Sequence, residues 1–140
     1  MTIRKATRAD IDAMHRVRLA VRENVLSSAT RISAIDYVEA IEVTGNGWVA
    51  ECDGFVVAFA VGNAVDGNIW ALFVEPSYEG RGFGRTLHDE MVAWLRLQGL
   101  QQLWLTTDPG SRAADFYTAA GWREVGKTAC GELRFELDVV

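Results

Sequence analysis

Residues Val74 to Leu87 read VEPSYEGRGFGRTL, where a hydrophobic run ends in Glu-Pro and a glycine-rich turn opens directly into an amphipathic segment of helical period. These residue types at this spacing suit a phosphate cradle. Glycines at 80, 82 and 84 let the backbone approach a ligand with no side chain in the way. The first turn of the following helix leaves amide N–H groups unpaired at the positive end of its dipole, which is a site for a pyrophosphate. Arg81 and Arg85 add charge beside those amides.

Two common nucleotide motifs fail here on spacing. A dinucleotide fingerprint needs GxGxxG near the first strand and an acidic residue about 20 positions later. The glycines at 80, 82 and 84 fall past mid-chain with no glycine at 85. A P-loop needs GxxxxGK followed by Ser or Thr, and no lysine lies between Lys5 and Lys127. The plainer reading is a surface turn in which glycine serves only sharp geometry.

The elements that must position this turn come from periodicity. Asp10 is the expected N-cap of a helix to about Leu26, with Ile11, Met14, Val17, Val21 and Val25 toward the core and His15, Arg18 and Arg22 on another, solvent-facing side. Ser33 is expected to cap a second helix through about Val43, ended by Gly45 and Gly47. From Trp48 the period becomes that of strands. Trp48–Cys52 and Phe55–Asn63 are joined by Asp53-Gly54, a strong hairpin signal. Ile69–Val74 follows after the turn Val65-Asp66-Gly67-Asn68, completing an antiparallel meander. The helix after the glycine turn carries Leu87, Met91, Trp94 and Leu95 on one side and should end before Gly99. Leu103–Thr106 is the next strand, Ser111 caps a helix over Arg112–Ala120, and Trp122–Val125 and Leu133–Val139 close the fold, with Thr2–Lys5 opening it. A crossover helix between Val74 and Leu103 favours parallel pairing of those two strands. The expectation is an α/β fold with a mixed, mostly antiparallel twisted sheet of about six or seven strands and about four helices.

Composition bounds what such a fold does. A chain of 140 residues holds one sizeable core, so residues 1–140 read as a single domain. The formal charge of −5 argues against non-specific nucleic-acid binding and is compatible with a small cationic substrate. The longest apolar stretches, near Phe55–Val61 and Ile69–Val74, fall far short of the roughly 20 residues that span a bilayer. MTIRKATRAD lacks the apolar core of a signal peptide, so a cytoplasmic location and no membrane partner are expected. Cys52 and Cys130 are distant, with only His15 and His88 as imidazole partners, and suggest neither a metal site nor a disulfide framework. His88, at the edge of an apolar stripe, reads as a packed core histidine, as do most of the five tryptophans. Trp70 is the exception, because an indole can receive a cation on its π face.

Two segments resemble the GCN5-related N-acetyltransferase (GNAT) superfamily. LFVEPSYEGRGFGRTLHDEM is similar to the family's acyl-CoA-binding motif, and RAADFYTAAGW to the motif that follows it, in which an alanine-rich helix presents an aromatic pair before a Gly-aromatic turn. The resemblance implies the GNAT fold and an acetyl-CoA-dependent N-acetyltransferase acting on a primary amine of a small molecule or peptide. A non-catalytic acyl-CoA-binding or regulatory domain is the alternative. It implies cofactor contacts from Leu72, Phe73, Val74, Arg81, Gly82, Phe83, Gly84, Arg85, Thr86 and Tyr117, and no metal.

The implied chemistry needs a deprotonated amine, a donor for the oxyanion and an acid for the leaving thiolate. By resemblance the donor is the backbone N–H of Phe73 or Val74, and the acid is Tyr117. The family's frequent glutamate base falls near Asn68, which cannot serve, leaving Glu23, Asp66, Glu75 or water. Two departures stand out. Glu79 replaces the family's Gln or Arg at the start of the cradle, and Gly110 replaces a frequent asparagine. His15 and Arg18 lie on the helix that borders the acceptor pocket in relatives. Many relatives dimerise through late strands, and Leu133–Val139 alternates as an edge strand could, so a homodimer is possible on this reading.

Overall fold

The Asp53-Gly54 turn sets the first long pairing. Both residues have positive φ, 53° and 81°, as a two-residue type I′ hairpin requires. In the computed structural model, which describes residues 2–21 and 32–139, this turn joins β2 (Gly45–Cys52) to β3 (Phe55–Asn63), and β4 (Ile69–Val74) follows antiparallel. β1 (Thr2–Lys5) pairs with β2 to complete a sheet in the order β1-β2-β3-β4. β5 (Gln102–Thr107), β6 (Arg123–Lys127) and β7 (Leu133–Asp138) form a second antiparallel sheet in the order β5-β7-β6. The helices are α1 (Ile11–Ala20), α2 (Ala34–Val38, continued by one π-helical turn, Glu39–Val43), α3 (Phe83–Leu97) and α4 (Arg112–Ala119).

β3 is buried from Val56 to Gly62 because helices cover both faces. On one face Phe59 and Val61, with Ala71 of β4, pack with Met14 and Val17 of α1 and Tyr37 of α2. On the other face Ala58 and Ala60 meet Leu87, Met91 and Leu95 of α3, and the same cluster continues into Leu103, Leu105 and Phe135 of the second sheet. A bulge in β4 shifts the register from Val61–Ala71 to Gly62–Ile69 and leaves Trp70 as the extra residue. The bulge turns Trp70 to the face that already carries Ala71 and Phe73.

The expected parallel pairing of Ile69–Val74 with the strand at Leu103 is confined to one bridge, Asn68 to Trp104. Trp104 holds that junction three ways: its backbone N–H donates to Gly67 O at 3.0 Å, its indole N–H donates to Asp66 O at 3.1 Å, and its carbonyl accepts from Asn68 Nδ2 at 3.4 Å. Farther along β4 the gap to β5 is wedged by the start of α3 and by α4. A Cβ placed on Gly84 of α3 would meet both Phe116 of α4 and Val74 of β4 at 3.4 Å.

Other expectations need correction. Gly45 and Gly47 do not end a helix; β2 starts at Gly45 because only glycine fits there. A Cβ on Gly45 would lie 1.8 Å from Gly62 O, and one on Gly47 would lie 2.8 Å from Ile41 Cγ2. Asp10 does not act as a cap by its side chain. Thr7 is the cap, and Asp10 Oδ2 accepts the Thr7 N–H at 2.8 Å in a short 3₁₀ turn before α1. The carboxylate is drawn back by Arg4, which donates to both of its oxygens at 2.7 and 2.8 Å and also pairs with Glu51. α1 ends at Ala20, where Val21 turns extended; Arg22, Glu23, Val25 and Leu26 lie outside the described residues. Leu133–Val139 is not an edge strand, since β7 lies between β5 and β6, and a dimer built on this sheet would use β6, exposed along its whole length. No helix among the described residues is long and apolar enough to cross a membrane.

Gly45→Ala is expected to destabilise the fold by about 3 kcal/mol, because the clash is with backbone that cannot rotate away. Urea unfolding followed by circular dichroism tests this, and a loss under about 1 kcal/mol would mean that β2 and β3 tolerate separation there.

Candidate active site

The β4–β5 gap is where backbone chemistry is left unused. Glu75 N–H donates to Val57 O at 2.8 Å, and Phe73 lies opposite Phe59 two residues earlier in the same register. Amides alternate sides along a strand, so the N–H of Phe73 faces β3 while those of Leu72 and Val74 face the gap. A groove of about 640 Å³ opens there, lined by Leu72, Phe73 and Val74 of β4, by Gly80 and Gly82 of the turn, by Phe83, Gly84 and Arg85 of α3, and by Arg112, Phe116 and Tyr117 of α4.

The turn is shaped by its glycines. Gly82, the residue before α3, has φ +86°, a left-handed conformation that L side chains rarely adopt, and no side chain caps the helix. The amides of Phe83, Gly84 and Arg85 therefore face outward without intrahelical acceptors. Thr86 closes the turn from behind, donating its hydroxyl to Gly82 O at 2.9 Å. Thr86 and Arg81 do not line the groove; the Arg81 guanidinium stacks on Tyr78, 5.1 Å from the ring centre. Arg85 does line it and pairs with Asp89 at 3.1 Å.

Glu79, the carboxylate at the start of the cradle, also lines the groove, but it forms an ion pair with Arg112 at the start of α4. Its charge is thus offset within the groove. Gly110, with φ +69° in the turn before α4, is not part of the lining. Ser111 caps α4 through Oγ, accepting the Ala114 N–H at 3.1 Å. That cap aims Ala113, Phe116 and Tyr117 along one helix face into the groove. The i, i+3, i+4 spacing around Tyr117 marks Ala113 and Phe116 already in the sequence, a signal that was there to be used. Tyr78, Pro76 and Val21 complete the wall and had no such mark.

Tyr117 is 6% exposed and set in an aromatic nest of Phe116, Trp122, Phe135 and His88. Burial pushes its phenol well above the ordinary tyrosine pKa. Behind it His88 is a packed core histidine, 4% exposed. The Trp122 indole N–H, which can only donate, donates a hydrogen bond to His88 Nε2 at 2.9 Å. His88 is therefore neutral, with its own proton on Nδ1 toward Asp89 Oδ1 at 2.9 Å.

The candidate bases are not gathered at the groove. Asp66 sits in the turn at the opposite end of β4, its carboxylate accepting the Asn68 N–H at 2.9 Å. Asn68 itself is spent on the Trp104 junction. Glu75 is outside the lining, with Ser77 Oγ 3.4 Å from its Oε1, and Glu23 is outside the described residues.

On the α1 face, Arg18 is not solvent-facing as expected but 5% exposed. Its guanidinium carbon lies 4.6 Å from the Trp70 ring centre, 5.0 Å from Phe73, 5.4 Å from Tyr37 and 5.9 Å from Phe59. A face of Trp70 is thus occupied by the protein's own cation. His15 is half-buried beside this cluster, its Nδ1 2.9 Å from the Tyr37 hydroxyl.

Residues 11–122 match the model of the acetyltransferase (GNAT) family. Among curated proteins, the chain is 29% identical over 72 residues to a [ribosomal protein bS18]-alanine N-acetyltransferase of Haemophilus influenzae, a match covering 50% of this chain and 49% of that one. The match thus spans about half the length of that relative. Among solved structures, a ribosomal-protein-alanine N-acetyltransferase from Brucella melitensis superposes with a TM-score of 0.82 at 22% identity, covering 99% of this chain and 100% of that one. A PaiA N-acetyltransferase from Thermoplasma acidophilum, solved in complex with coenzyme A, superposes with a TM-score of 0.78 at 16% identity, covering 99% and 98%.

Desolvation holds the pKa of His88 below its usual 6.5. The folded chain then binds fewer protons than the unfolded chain once pH drops below that value, so this contribution to stability is complete above it and is lost toward acid. Wild type is expected to lose stability between pH 7 and pH 5 faster than His88→Gln, by up to about 1.4 kcal/mol per pH unit. Thermal unfolding of both proteins across that range checks it, and parallel curves would mean that His88 protonates in place.

Proposed function

Since the chain belongs to the acetyltransferase (GNAT) family, we propose that it transfers an acetyl group from acetyl-CoA to a primary amine by direct attack, in the groove between β4, α3 and α4. The observation that carries this reading is the Val74 amide, directed into the β4–β5 gap in a groove that Tyr117 also lines. When bound, acetyl-CoA supplies an acyl group activated as a thioester. The residues fit it in chemistry. Leu72, Phe73, Val74 and Phe116 offer an apolar corridor with strand-like amides for the arm, and the uncapped start of α3, Gly82 to Arg85, offers N–H groups for phosphate. Arg81 flanks the turn, and Thr86 holds its shape from behind.

Two of the remaining steps fall to residues of the chain. The Val74 N–H donates to the acyl oxygen as negative charge builds there. Tyr117 gives its proton to the departing sulfur. Burial keeps the phenol protonated across the physiological range, and the same desolvation raises the basicity of a thiolate formed beside it, so donor and acceptor shift together. Among the described residues Glu79 is the sole carboxylate lining the groove, and it is engaged by Arg112. With no free carboxylate of the described residues in the groove, we assign the amine proton to water.

Relatives named as ribosomal-protein-alanine N-acetyltransferases support an α-amine of a peptide or amino acid as acceptor. A small polyamine is less well supported, because the guanidinium of Arg18 already stacks on Trp70. We place the reaction in the cytoplasm, with neither metal nor nucleic acid as a partner.

Tyr117→Phe is expected to lower kcat roughly 10²-fold and leave acetyl-CoA affinity nearly unchanged, read as CoA-thiol release beside calorimetric binding. Equal turnover in both proteins removes Tyr117 from proton transfer. With water taking the amine proton, kcat/KM should rise with pH through the pKa of the acceptor amine, near 8 for an α-amine, and show no descending limb below about pH 10. A fall at lower pH would reveal an acid other than this buried phenol.

A further inference from the structure

His88 is a buried titratable group that takes no proton in the transfer described above. It lies on α3, 4% exposed, with Tyr117 and Trp122 packed on it at ring-centre distances of 6.5 and 6.1 Å. Its Nε2 accepts the Trp122 indole N–H at 2.9 Å, and its Nδ1 lies 2.9 Å from Asp89 Oδ1. The same carboxylate oxygen accepts from Arg85 Nε at 3.1 Å, and Arg85 lines the groove. A line of hydrogen bonds thus runs from Arg85 at the cradle through Asp89 and His88 to Trp122, and it ends against the ring of Tyr117.

The ring of Tyr117 is set among Phe116, Trp122, Phe135 and His88, at centre distances of 5.3, 5.3, 6.4 and 6.5 Å. The two phenylalanines offer packing, which is non-directional. Directional bonds belong to the other two rings, and they are made to each other. Trp122 is held at both ends, since its backbone N–H also donates to Tyr117 O at 3.0 Å. An indole N–H is a donor only, so the ring of Trp122 is held while His88 Nε2 stays unprotonated. A proton on Nε2 would set donor against donor and release the indole. Among the described residues, the charged and titratable groups that face the imidazole are Asp89 and Arg85 from α3 and Tyr117 from α4, while Phe116 and Trp122 carry no charge. Burial and Arg85 disfavour the imidazolium, Asp89 favours it, and the balance leaves the pKa below its usual value.

We propose that His88 is a positioning residue for the proton donor: by accepting the Trp122 N–H it fixes the indole against which the Tyr117 phenol is seated in the groove. The seat rests on the His88–Trp122 bond for its existence, and on the reading of Tyr117 as the acid for its effect on turnover. A reacting group misplaced by about 1 Å loses on the order of 10²-fold in rate. Such a displacement leaves the cradle at Gly82–Arg85 as it is, so the loss falls on kcat and spares the affinity for acetyl-CoA. Glutamine separates the bond from the imidazole. Its side-chain oxygen can accept from Trp122 and its amide can donate to Asp89, and it does not titrate.

The test compares wild type, His88→Gln and His88→Leu as full-length chains, with acetyl-CoA and a tripeptide amide that begins with alanine. At about pH 8, His88→Leu is expected to lower kcat about tenfold or more and to change the acetyl-CoA dissociation constant less than about twofold, whereas His88→Gln stays within about twofold of wild type in both. Toward acid, the kcat of His88→Gln relative to wild type should rise in step with proton uptake by His88, followed through its ring-proton resonances. Titration of the acceptor amine cancels in that ratio. Equal losses in His88→Gln and His88→Leu, or a flat ratio while His88 titrates, would overturn the proposal and leave His88 a packing residue. Should His88→Leu fail to fold, Trp122→Phe, which keeps a ring and removes the indole N–H, is expected to show the same loss in kcat. The seat is also read without turnover, from the ring resonances of isotope-labelled tyrosine, assigned with Tyr117→Phe. If Tyr117→Phe turns over like wild type, or no CoA is released, the acid reading falls and these resonances decide the seat. A Tyr117 resonance displaced in His88→Leu relative to His88→Gln upholds it, and the same resonance in both overturns it.

Discussion

Everything distinctive about this molecule depends on how little holds β4 to β5. Two strands carried by a crossover helix would ordinarily zip along their length, and here they meet at the Asn68–Trp104 bridge and then part. The bridge is reinforced by the Trp104 indole on Asp66 O and by Asn68 Nδ2 on Trp104 O, so the two sheets pivot from a fixed corner. The cost is a run of β4 backbone without ladder partners. That cost is also the use, because an amide with no strand beside it is available to a ligand.

The opposite faces of β4 treat a buried nitrogen group in opposite ways. On the α3 face, His88 accepts a hydrogen bond from Trp122 and donates one to Asp89. It is fully answered, and it backs Tyr117 without competing for its proton. On the α1 face, the bulge at Trp70 crowds aromatic side chains around Arg18 and brings no acceptor with them. Among the described residues, one network is satisfied and the other is not. The groove lies between the two.

Local chemistry was legible in the sequence wherever one short segment decides its own conformation. Asp53-Gly54 dictated a hairpin, and the stripe Leu87, Met91, Leu95 dictated α3, with the glycine turn directly before it. What depends on distant partners was not legible. Gly45 reads as a helix stop until Gly62 O is seen 1.8 Å from its missing Cβ. Asp10 looks like a cap until Arg4 and Thr7 claim its oxygens. Arg18 has the spacing of a surface residue, and the rings of Trp70, Phe73, Tyr37 and Phe59 bury it. The crossover rule gave the direction of β5 relative to β4 but not the length over which they pair, because the wedge of Phe116 against Gly84 and Val74 is a packing fact.

The strand order β5-β7-β6 places the last strand of the chain in the middle of its sheet. β5 and β6 have no ladder with each other, so neither has a partner within the sheet until residues 133–138 have been synthesised. During translation the meander β2-β3-β4 can form from local hairpins while the other wall of the cleft waits. Phe135, against which Tyr117 packs, arrives with that final strand. A nascent chain therefore acquires its glycine turn well before it acquires a seated tyrosine, and the two halves of the groove are separated in folding time as they are in sheet topology.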